Sequence, residues 1–519
     1  MKQNKLNTSL TSLGLYFIVF ITGSSVMVIE LLGTRMIAPF YGASIYVWSS
    51  LISVTMIALS IGYFIGGRWA DSEKRVGLSL IIAFAGFLTL LIPWLTRPVL
   101  LVTDQLGLRG GAFSSALLLF SPSLTFLGMV SPFAIKLATK DMDAVGSSAG
   151  SIYAVSTVGS VIGTLLLGFF LFPKYGSREI LMGTGFLLMA LAMSIAYYEK
   201  TKLLCKKTVL PVVLLLTFSC VLVPKIVDAG YGKIDESKFE VQSEKESLYG
   251  WVRVIDQASN DLRFLTSDAS MIGAASLSTG KTLLAYQGIA TLIPSLALSP
   301  MKHALIVGLG AGHMANMLDQ RYQLSTDTLE IDPAVADAAV SFFNYKPTGK
   351  AIVGDARYEI RRLTGPYDLI IHDCFTGGTE PAHLLTVETL EQLKKVMTKE
   401  GILAINFVSF WENGNNKALA AVGRTILQVF PQYSVFISEP GSDFNDFIFL
   451  ASKNKINLES GSLSTKQKQW LKHRLVEIDD SQGVVLSDNF NPLEHLQTRK
   501  SEHYRQVLLD WFGSNLLIR

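Results

Sequence analysis

For its first 230 residues the chain is a succession of long apolar runs broken only by short charged interruptions. A helix that crosses a bilayer needs about 20 mostly apolar residues. Seven stretches meet that requirement, at about 13–34, 46–68, 76–96, 112–138, 149–172, 178–198 and 208–224. Because lipid offers the backbone no hydrogen-bond partners, such runs can fold only as helices that satisfy themselves. After residue 230 the runs stop and an ordinary soluble α/β pattern begins.

Composition supports this division. Charged residues are 17% of the chain and hydrophobic residues 49%. A soluble domain carries about a quarter charged residues, and the deficit lies in the apolar half. The first run follows Lys2 and Lys5 and by itself would resemble a signal peptide. Six further runs argue against that reading. The net charge of +3 comes without a basic stripe, so a nucleic-acid partner is not expected. Cys205, Cys220 and Cys374 are far apart, so neither a disulfide framework nor a metal site is expected.

Small residues recur at helical spacing in the apolar half, as in Gly62-Tyr-Phe-Ile-Gly66 and Gly159-Ser-Val-Ile-Gly163. That spacing lets helices approach closely in lipid. Glu30 and Arg35 fall at the expected end of the first span, and Arg68 and Asp71 after the second. Ionisable groups at such depths mark either a ligand pathway or interfacial anchors, and anchoring is the commoner role at span ends. Lys and Arg gather at the N-terminus and around residues 68–75, 136–140 and 200–207, which places those segments on the cytoplasmic side. Seven spans would then put the soluble half outside, whereas the cytosolic ligand inferred below puts it inside. The cytoplasmic side is the expectation taken here, for a multi-pass protein of the cell membrane whose partner is the lipid bilayer.

The soluble half opens with alternating segments at 249–256 and 261–265, the period of half-buried strands. A helix is expected over 283–298. Strands then alternate with helices, at 304–307, 325–331, 351–353, 368–371, 402–407, 433–437 and 447–451. Such alternation predicts a doubly wound sheet with helices on both faces. The expected architecture is an α-helical membrane bundle of about seven spans (1–230), a small antiparallel β domain (236–282) and a Rossmann-like sheet of the methyltransferase type (283–519).

Ligands in such sheets bind beyond the carboxyl ends of the strands. Gly308, Gly310 and Gly312 follow the first strand of the alternation. Glycines there let the backbone turn tightly against a ligand. The second strand ends in Glu330-Ile-Asp332, with an acid placed to hold ribose hydroxyls. The third ends in Gly354-Asp355-Ala356, where a carboxylate can accept from an adenine amine. The fourth ends in His372-Asp373-Cys374. Acids at three successive strand ends point to an adenosine ligand, although any one of them can serve as a helix cap. No Lys-Ser/Thr pair follows the glycines, so the loop is not a P-loop. An acid-lined pocket repels a diphosphate and suits a sulfonium. S-adenosylmethionine, or its decarboxylated form, is the expected ligand.

These blocks resemble the spermidine synthases, polyamine aminopropyltransferases, of the subtype fused to an N-terminal multi-pass membrane domain. The resemblance rests on Leu305–Gly312, Leu329–Pro333, Val353–Ala356 and Tyr367–Asp373, with Tyr286-Gln287 matching a substrate-contacting pair. Glu30–Arg35, Gly66–Asp71, Pro381–Thr386 and Leu486–Leu493 resemble the fused subtype. The resemblance implies transfer of an aminopropyl group from decarboxylated S-adenosylmethionine to an amine, releasing methylthioadenosine. It assigns Glu330 to the ribose, Asp355 to the adenine, Asp373 to the aminopropyl end, and Tyr286 and Gln287 to positioning. It also implies pairing through the soluble domain, so a homo-oligomer is possible.

The chain departs from the family at Ala311 and Thr376, where the resemblance implies two aspartates on the amine side. The second is the base that deprotonates the incoming amine. Glu380 is the candidate to replace it, with His383 as an alternative. Cys374 reads as a small buried filler. Other functions stay open. Intact S-adenosylmethionine could be cleaved without an acceptor, its own carboxylate attacking the γ-carbon. The sheet also suits a methyltransferase. A membrane sensor or transporter that binds the nucleoside would explain so many spans.

Overall fold

The computed structural model describes residues 3–42, 44–72, 77–139, 144–202, 209–230, 238–375 and 379–518, and the statements below concern these. Thr376 and Cys205 lie outside the described residues. The chain divides into two compact units: residues 1–234 with 512–519, and residues 235–511.

The first unit is helical. Its helices are α1 (Gln3–Tyr41), α2 (Ile45–Asp71), α3 (Leu78–Thr103), α4 (Gly107–Ala138), α5 (Val145–Leu166), α6 (Ser177–Lys202) and α7 (Val209–Gly230). About seven separate spans were expected, and the structure corrects this. Five helical segments are long and apolar enough to cross a membrane: Leu13–Tyr41, Ile45–Asp71, Leu78–Ala138, Val145–Leu171 and Ser177–Tyr198. The third covers 61 residues, about 90 Å at 1.5 Å per residue, or about three hydrocarbon thicknesses. It breaks at the 3₁₀ turn Asp104–Leu106, and α3 and α4 pack together. Their hydroxyls meet, Thr89 with Ser123 at 2.7 Å and Thr103 with Ser115 at 2.6 Å. The last expected span yields only a shorter apolar stretch, Val209–Val221.

Glycine sets the closest approaches. A Cβ on Gly62 would lie 2.3 Å from the Thr125 carbonyl, and one on Gly66 2.6 Å from the Met129 Cα, so α2 and α4 touch backbone to backbone. Gly159 and Gly163 do the same for α5, against Phe20 and Ser24 of α1. Without a hydrophobic force between helices in lipid, this close contact supplies the attraction. Helix α1 continues to Tyr41, so Glu30 and Arg35 lie inside it rather than at its end. Arg35 sits over the Phe172 ring, and Asp71 pairs with Lys136 at 2.8 Å on the surface.

The second unit holds two sheets. Strands β1 (Glu240–Glu246), β2 (Trp251–Gln257), β3 (Leu262–Ser267) and β4 (Ser270–Ser276) form an antiparallel meander. The larger sheet contains β5 (His303–Val307), β6 (Ser325–Glu330), β7 (Ala351–Val353), β8 (Tyr367–His372), β9 (Met397–Phe410), β10 (Gln432–Ile437), β11 (Phe444–Ser452) and β12 (Leu475–Val476). Its order is β12-β10-β11-β9-β8-β5-β6-β7. Strands β5 to β9 are parallel, and the pairings β9–β11, β11–β10 and β10–β12 are antiparallel. This is the doubly wound, mixed methyltransferase-type sheet. The chain leaves β5 toward β6 and β7, then returns to β8 on the other side, so the order reverses between β5 and β8.

The helices of this unit are α8 (Ala285–Ala290), α9 (His313–Tyr322), α10 (Pro333–Phe342), α11 (Ala356–Glu359), α12 (Val387–Lys395), α13 (Lys417–Val429), α14 (Thr465–Lys472), α15 (Leu493–Leu496) and α16 (Thr498–Phe512). The single helix expected over 283–298 is split. Helix α8 ends at Ala290, and a 3₁₀ turn follows at Ile293–Leu296. Pro294 explains the break, because its ring excludes the preceding turn of an α-helix. One apolar cluster, including Leu305, Leu403, Phe407, Leu419 and Phe449, fills one face of the sheet. Another, including Ile289, Ile306, Leu369 and Phe436, fills the other. The sheet's edge, where the acids stand, is therefore held from both sides.

Candidate active site

The glycine loop lies at the reversal point. Gly308 has φ +97°, and a Cβ there would lie 2.1 Å from the Asp373 carbonyl. Only glycine permits both the turn and the closeness of the β5 and β8 ends. Beside it, Ala311 is buried against β4 in a small apolar cluster with Val252, Val254 and Leu265. A Cβ on Gly273 would lie 2.6 Å from the Ala311 methyl. The Ala311 methyl thus faces apolar neighbours and the bare backbone of Gly273.

The predicted acids stand at the ends of adjacent strands but do different work. Glu330, ending β6, accepts from Leu309 N at 3.1 Å and Asp332 N at 3.0 Å. Its carboxyl is thus fixed beside the glycine loop, and burial raises its pKa. Asp332 caps α10 through Ala334 N at 2.8 Å and accepts from the Ser247 hydroxyl at 2.6 Å. Its oxygens are committed to local structure. Asp355 caps α11 through Tyr358 N at 2.9 Å and is exposed, with Ala356 opening that helix.

Asp373 is the hub. It accepts from Tyr286 Oη at 2.8 Å on one oxygen and from Asn406 Nδ2 at 2.8 Å on the other. Gln287 Nε2 donates to Tyr286 Oη at 3.3 Å. Burial pushes the Asp373 carboxyl up to about 6, against the lowering effect of both hydrogen bonds. Tyr286 therefore does meet Asp373, 87 residues away in sequence, and Gln287 reaches it through Tyr286. Cys374 donates its thiol to the Val307 carbonyl at 3.1 Å, and burial raises its pKa well above the thiol range.

Glu380 is 1% exposed, with both carboxylate oxygens engaged. Val408 N donates to one at 2.8 Å; Lys500 Nζ and Gln497 Nε2 each donate to the other at 2.5 Å. A buried carboxylate held by an ammonium ion is an anchor, so the base role considered for Glu380 meets a group already paired. The His383 side chain is exposed on the turn Ala382–Leu384. The two motifs Pro381–Thr386 and Leu486–Leu493 meet here: Thr386 Oγ1 donates to Asp488 at 2.8 Å, and Asn491 Nδ2 to the Ala382 carbonyl at 2.8 Å. Arg357 binds both Thr389 and Asp488. They clamp the segment downstream of Asp373.

Sequence reasoning missed three members of this site. Asn406 lies inside β9, Asp446 near the start of β11, and Lys500 in α16. A lone Asn within the run Ile402–Phe407 was a usable signal, since polar residues buried in a strand need a partner. Lys500 sits in an ordinary charged helix and offered none.

No protein-family model matches the chain. Two curated proteins are similar over parts of it. An N-terminal histidine N-methyltransferase from Emericella nidulans is 26% identical over 247 residues, 43% of this chain and 44% of that protein. A polyamine aminopropyltransferase from Vibrio vulnificus is 40% identical over 111 residues, 20% of this chain and 37% of that protein. The chain thus spans less than half the length of each. Among solved structures, a probable spermidine synthase from Corynebacterium glutamicum has a TM-score of 0.39 at 20% identity, covering 50% of this chain and 94% of that one. Spermidine synthase from Thermotoga maritima has a TM-score of 0.36 at 17% identity, covering 46% and 81%. Human methyltransferase-like protein 13 in complex with SAH has 0.28 at 23%, covering 40% and 96%. The strand order and the partial homology together give the second unit a spermidine synthase-like fold of the methyltransferase type.

Proposed function

We propose that the protein is a membrane-bound transferase that moves an alkyl group from an adenosyl sulfonium to an amine. The donor is decarboxylated S-adenosylmethionine and the transferred group is aminopropyl. The reading is carried by the carboxyls at the β8 side of the reversal point. Among the described residues Asp373 has no cation of its own, because the nearby Lys500 is taken by Glu380. Such a site favours a cationic ligand. It also discriminates between donors: the carboxylate of intact S-adenosylmethionine would enter a region already rich in carboxyls.

In this reading Glu330, fixed beside the glycine loop, holds the ribose, and Asp355 accepts from the adenine amine. Asp373 receives the ammonium end of the aminopropyl arm. Tyr286 and Asn406 keep its carboxyl in one orientation, which aligns the carbon next to sulfur for attack. The amine's lone pair forms the new C–N bond as the C–S bond breaks, and its electron pair neutralises the sulfonium to give methylthioadenosine.

A second reading, methyl transfer from intact S-adenosylmethionine, is favoured by the similarity to a histidine N-methyltransferase. Both readings yield to one assay. Purified full-length protein is incubated with either donor, with and without putrescine. Methylthioadenosine formed with equimolar spermidine supports aminopropyl transfer. S-adenosylhomocysteine would support the second reading. Methylthioadenosine formed without acceptor would replace both by an acceptor-independent lyase, and binding without turnover by a sensor.

The five apolar segments supply the membrane attachment, and the soluble unit faces the cytoplasm, where the donor is made. A C-terminal reporter active only in the cytoplasm is expected to be active; a silent one reverses the orientation.

A further inference from the structure

Position 376 carries threonine, so the incoming amine has no obvious base in the loop after β8. The structure offers a carboxylate from a different direction. In the β9–β11 pairing, Val408 lies opposite Asp446 and Asn406 opposite Ile448. Directly opposed side chains share a face, and so do residues two apart. Asn406 and Asp446 therefore project from the same side of the sheet. Asn406 donates one amide hydrogen to Asp373 at 2.8 Å and also donates to Asp446. One amide thus links two carboxyls that would otherwise repel each other.

Two further atoms are left over. Among the described residues, the Asn406 Oδ1 and Gln287 Oε1 acceptors have no partner, in side chains only 2% and 5% exposed. Both amide nitrogens are committed to the Asp373–Tyr286 pair, so their orientation is forced and both oxygens point away from it. A buried acceptor without a donor is costly. Asp373 and Asp446 remain partly accessible, so a small ligand can reach them. Unused acceptors beside accessible carboxyls call for a group rich in donors and positively charged.

We propose that Asp446 is the acceptor-side carboxylate: with the amide oxygens of Asn406 and Gln287 it binds the primary ammonium group of the amine substrate and takes its proton. This rests on the transferase reading above. The ammonium ion passes one proton to the Asp446 carboxylate. The freed lone pair attacks the carbon bonded to sulfur, and methylthioadenosine leaves. The product is a secondary ammonium ion, and Asp446 returns its proton to solvent. Net, the dicationic donor and dicationic putrescine give neutral methylthioadenosine, tricationic spermidine and one proton.

The charged surroundings agree. Asp446 faces Asp373 from the β8 end, Lys500 and Tyr504 from α16, and Tyr286 from α8, while Ser438 donates to it at 3.3 Å. Lys500 is claimed by Glu380 at 2.5 Å. Burial first, then Asp373, raises the Asp446 carboxyl to about 7. A base near the working pH is well matched to proton transfer.

The test uses full-length protein with putrescine as the probe, saturated with methylthioadenosine for calorimetry and supplied with decarboxylated S-adenosylmethionine for turnover, and compares wild type with Asp446→Asn. The variant is expected to keep methylthioadenosine affinity within about threefold and to lose putrescine affinity and kcat by about 10²-fold or more. Putrescine binding and turnover that survive the substitution overturn the proposal, while spermidine formation by both proteins leaves the transferase reading standing. Conversely, Asp446-dependent putrescine binding without any spermidine keeps the subsite and sinks the transferase. Should the variant lack a cooperative melt, wild-type protein decides: putrescine affinity must rise with pH through about 7, and a flat profile overturns the assignment.

Discussion

The two units spend their polar groups in opposite ways. In the first, hydroxyls mostly bond carbonyls one turn back in their own helix, as Thr89 does to Ala85 and Thr184 to Ile180, both at 2.8 Å. Contact between helices is left to glycine and to a few hydroxyl pairs. In the second, polar side chains reach across the sequence: Tyr286 to Asp373, Asn406 to Asp373, Lys500 to Glu380. A bundle in lipid stays together by satisfying each helix locally and removing side chains at crossings. A site for a charged ligand needs strand ends that gather carboxyls and leave some of them uncompensated. One chain therefore shows where polarity supports packing and where it is held in reserve for chemistry.

The sharpest way to break this contrast is Asp373→Asn. Removing one partner of a buried, hydrogen-bonded charge contact costs about 2–5 kcal/mol, so kcat/KM should fall by about 10³-fold. The same variant should melt no lower than wild type at pH 8. Asp373 is held near 6 and Asp446 near 7, both above the ordinary carboxyl value of 3.8. Between those values the folded state binds more protons than the unfolded one, so stability falls as pH rises from about 4 to about 7. Asp446→Asn should flatten that slope, read from melting temperature against pH. A slope unchanged in both variants would mean the two carboxyls are compensated after all.

Glu330→Gln tests the nucleoside side. The carboxylate organises the loop through Leu309 N and Asp332 N. Loss of its charge should weaken methylthioadenosine binding by roughly 10- to 100-fold, as expected when a charged hydrogen bond of about 1.5–3 kcal/mol is lost. Binding that stays at wild-type strength would move the ribose elsewhere. Asp332, used up as a cap, is predicted to affect folding more than affinity.

In the first unit the comparison is made within glycine itself. Gly66 has no room for a Cβ, with Met129 Cα at 2.6 Å, whereas Gly183 has nothing within 4 Å. Gly66→Leu should cost about 1–3 kcal/mol by overpacking. Gly183→Ala should be neutral or slightly stabilising, since alanine is the better helix former by up to about 1 kcal/mol. Melting in detergent, followed by helical circular dichroism, separates them. Equal melting temperatures would remove glycine as the basis of this packing.

How much of this was legible in the sequence follows from how local each signal is. The apolar runs, the glycine loop and the acids at 330, 355 and 373 each announce themselves within a few residues, and the sheet carries them as its periodicity suggests. The turn at Asp104–Leu106 separates two apolar runs, so α3 and α4 read as two spans in the sequence although together they form one continuous apolar helical segment. Asp446 and Lys500 were invisible for a different reason, and Asn406, though conspicuous as a polar residue in an apolar strand, gave no hint of its partners. They meet only because β9 pairs with β11 and α16 returns toward Glu380, and no short-range pattern encodes such pairing. Asp332 shows the reverse error: a motif position that looks like a ligand and is consumed by the N-terminus of α10.

His383 marks the smallest expected effect. Its type and position, ten residues after Asp373, made it an alternative base. The structure puts its side chain in solvent on a turn whose backbone is the useful part: the His383 carbonyl accepts from Thr389 Oγ1 at 2.8 Å and from Arg357 at 3.3 Å. Replacing the imidazole leaves those bonds intact. Surface substitutions of this kind stay within about 0.5 kcal/mol, so His383→Ala should leave kcat/KM for the amine within about twofold and should not move the acid limb of its pH profile. Arg357→Ala, by contrast, removes the guanidinium that joins this turn to Asp488 and should lower the melting temperature. A large loss of turnover in His383→Ala with an unchanged melt would return the base to the loop after β8 and take it away from Asp446.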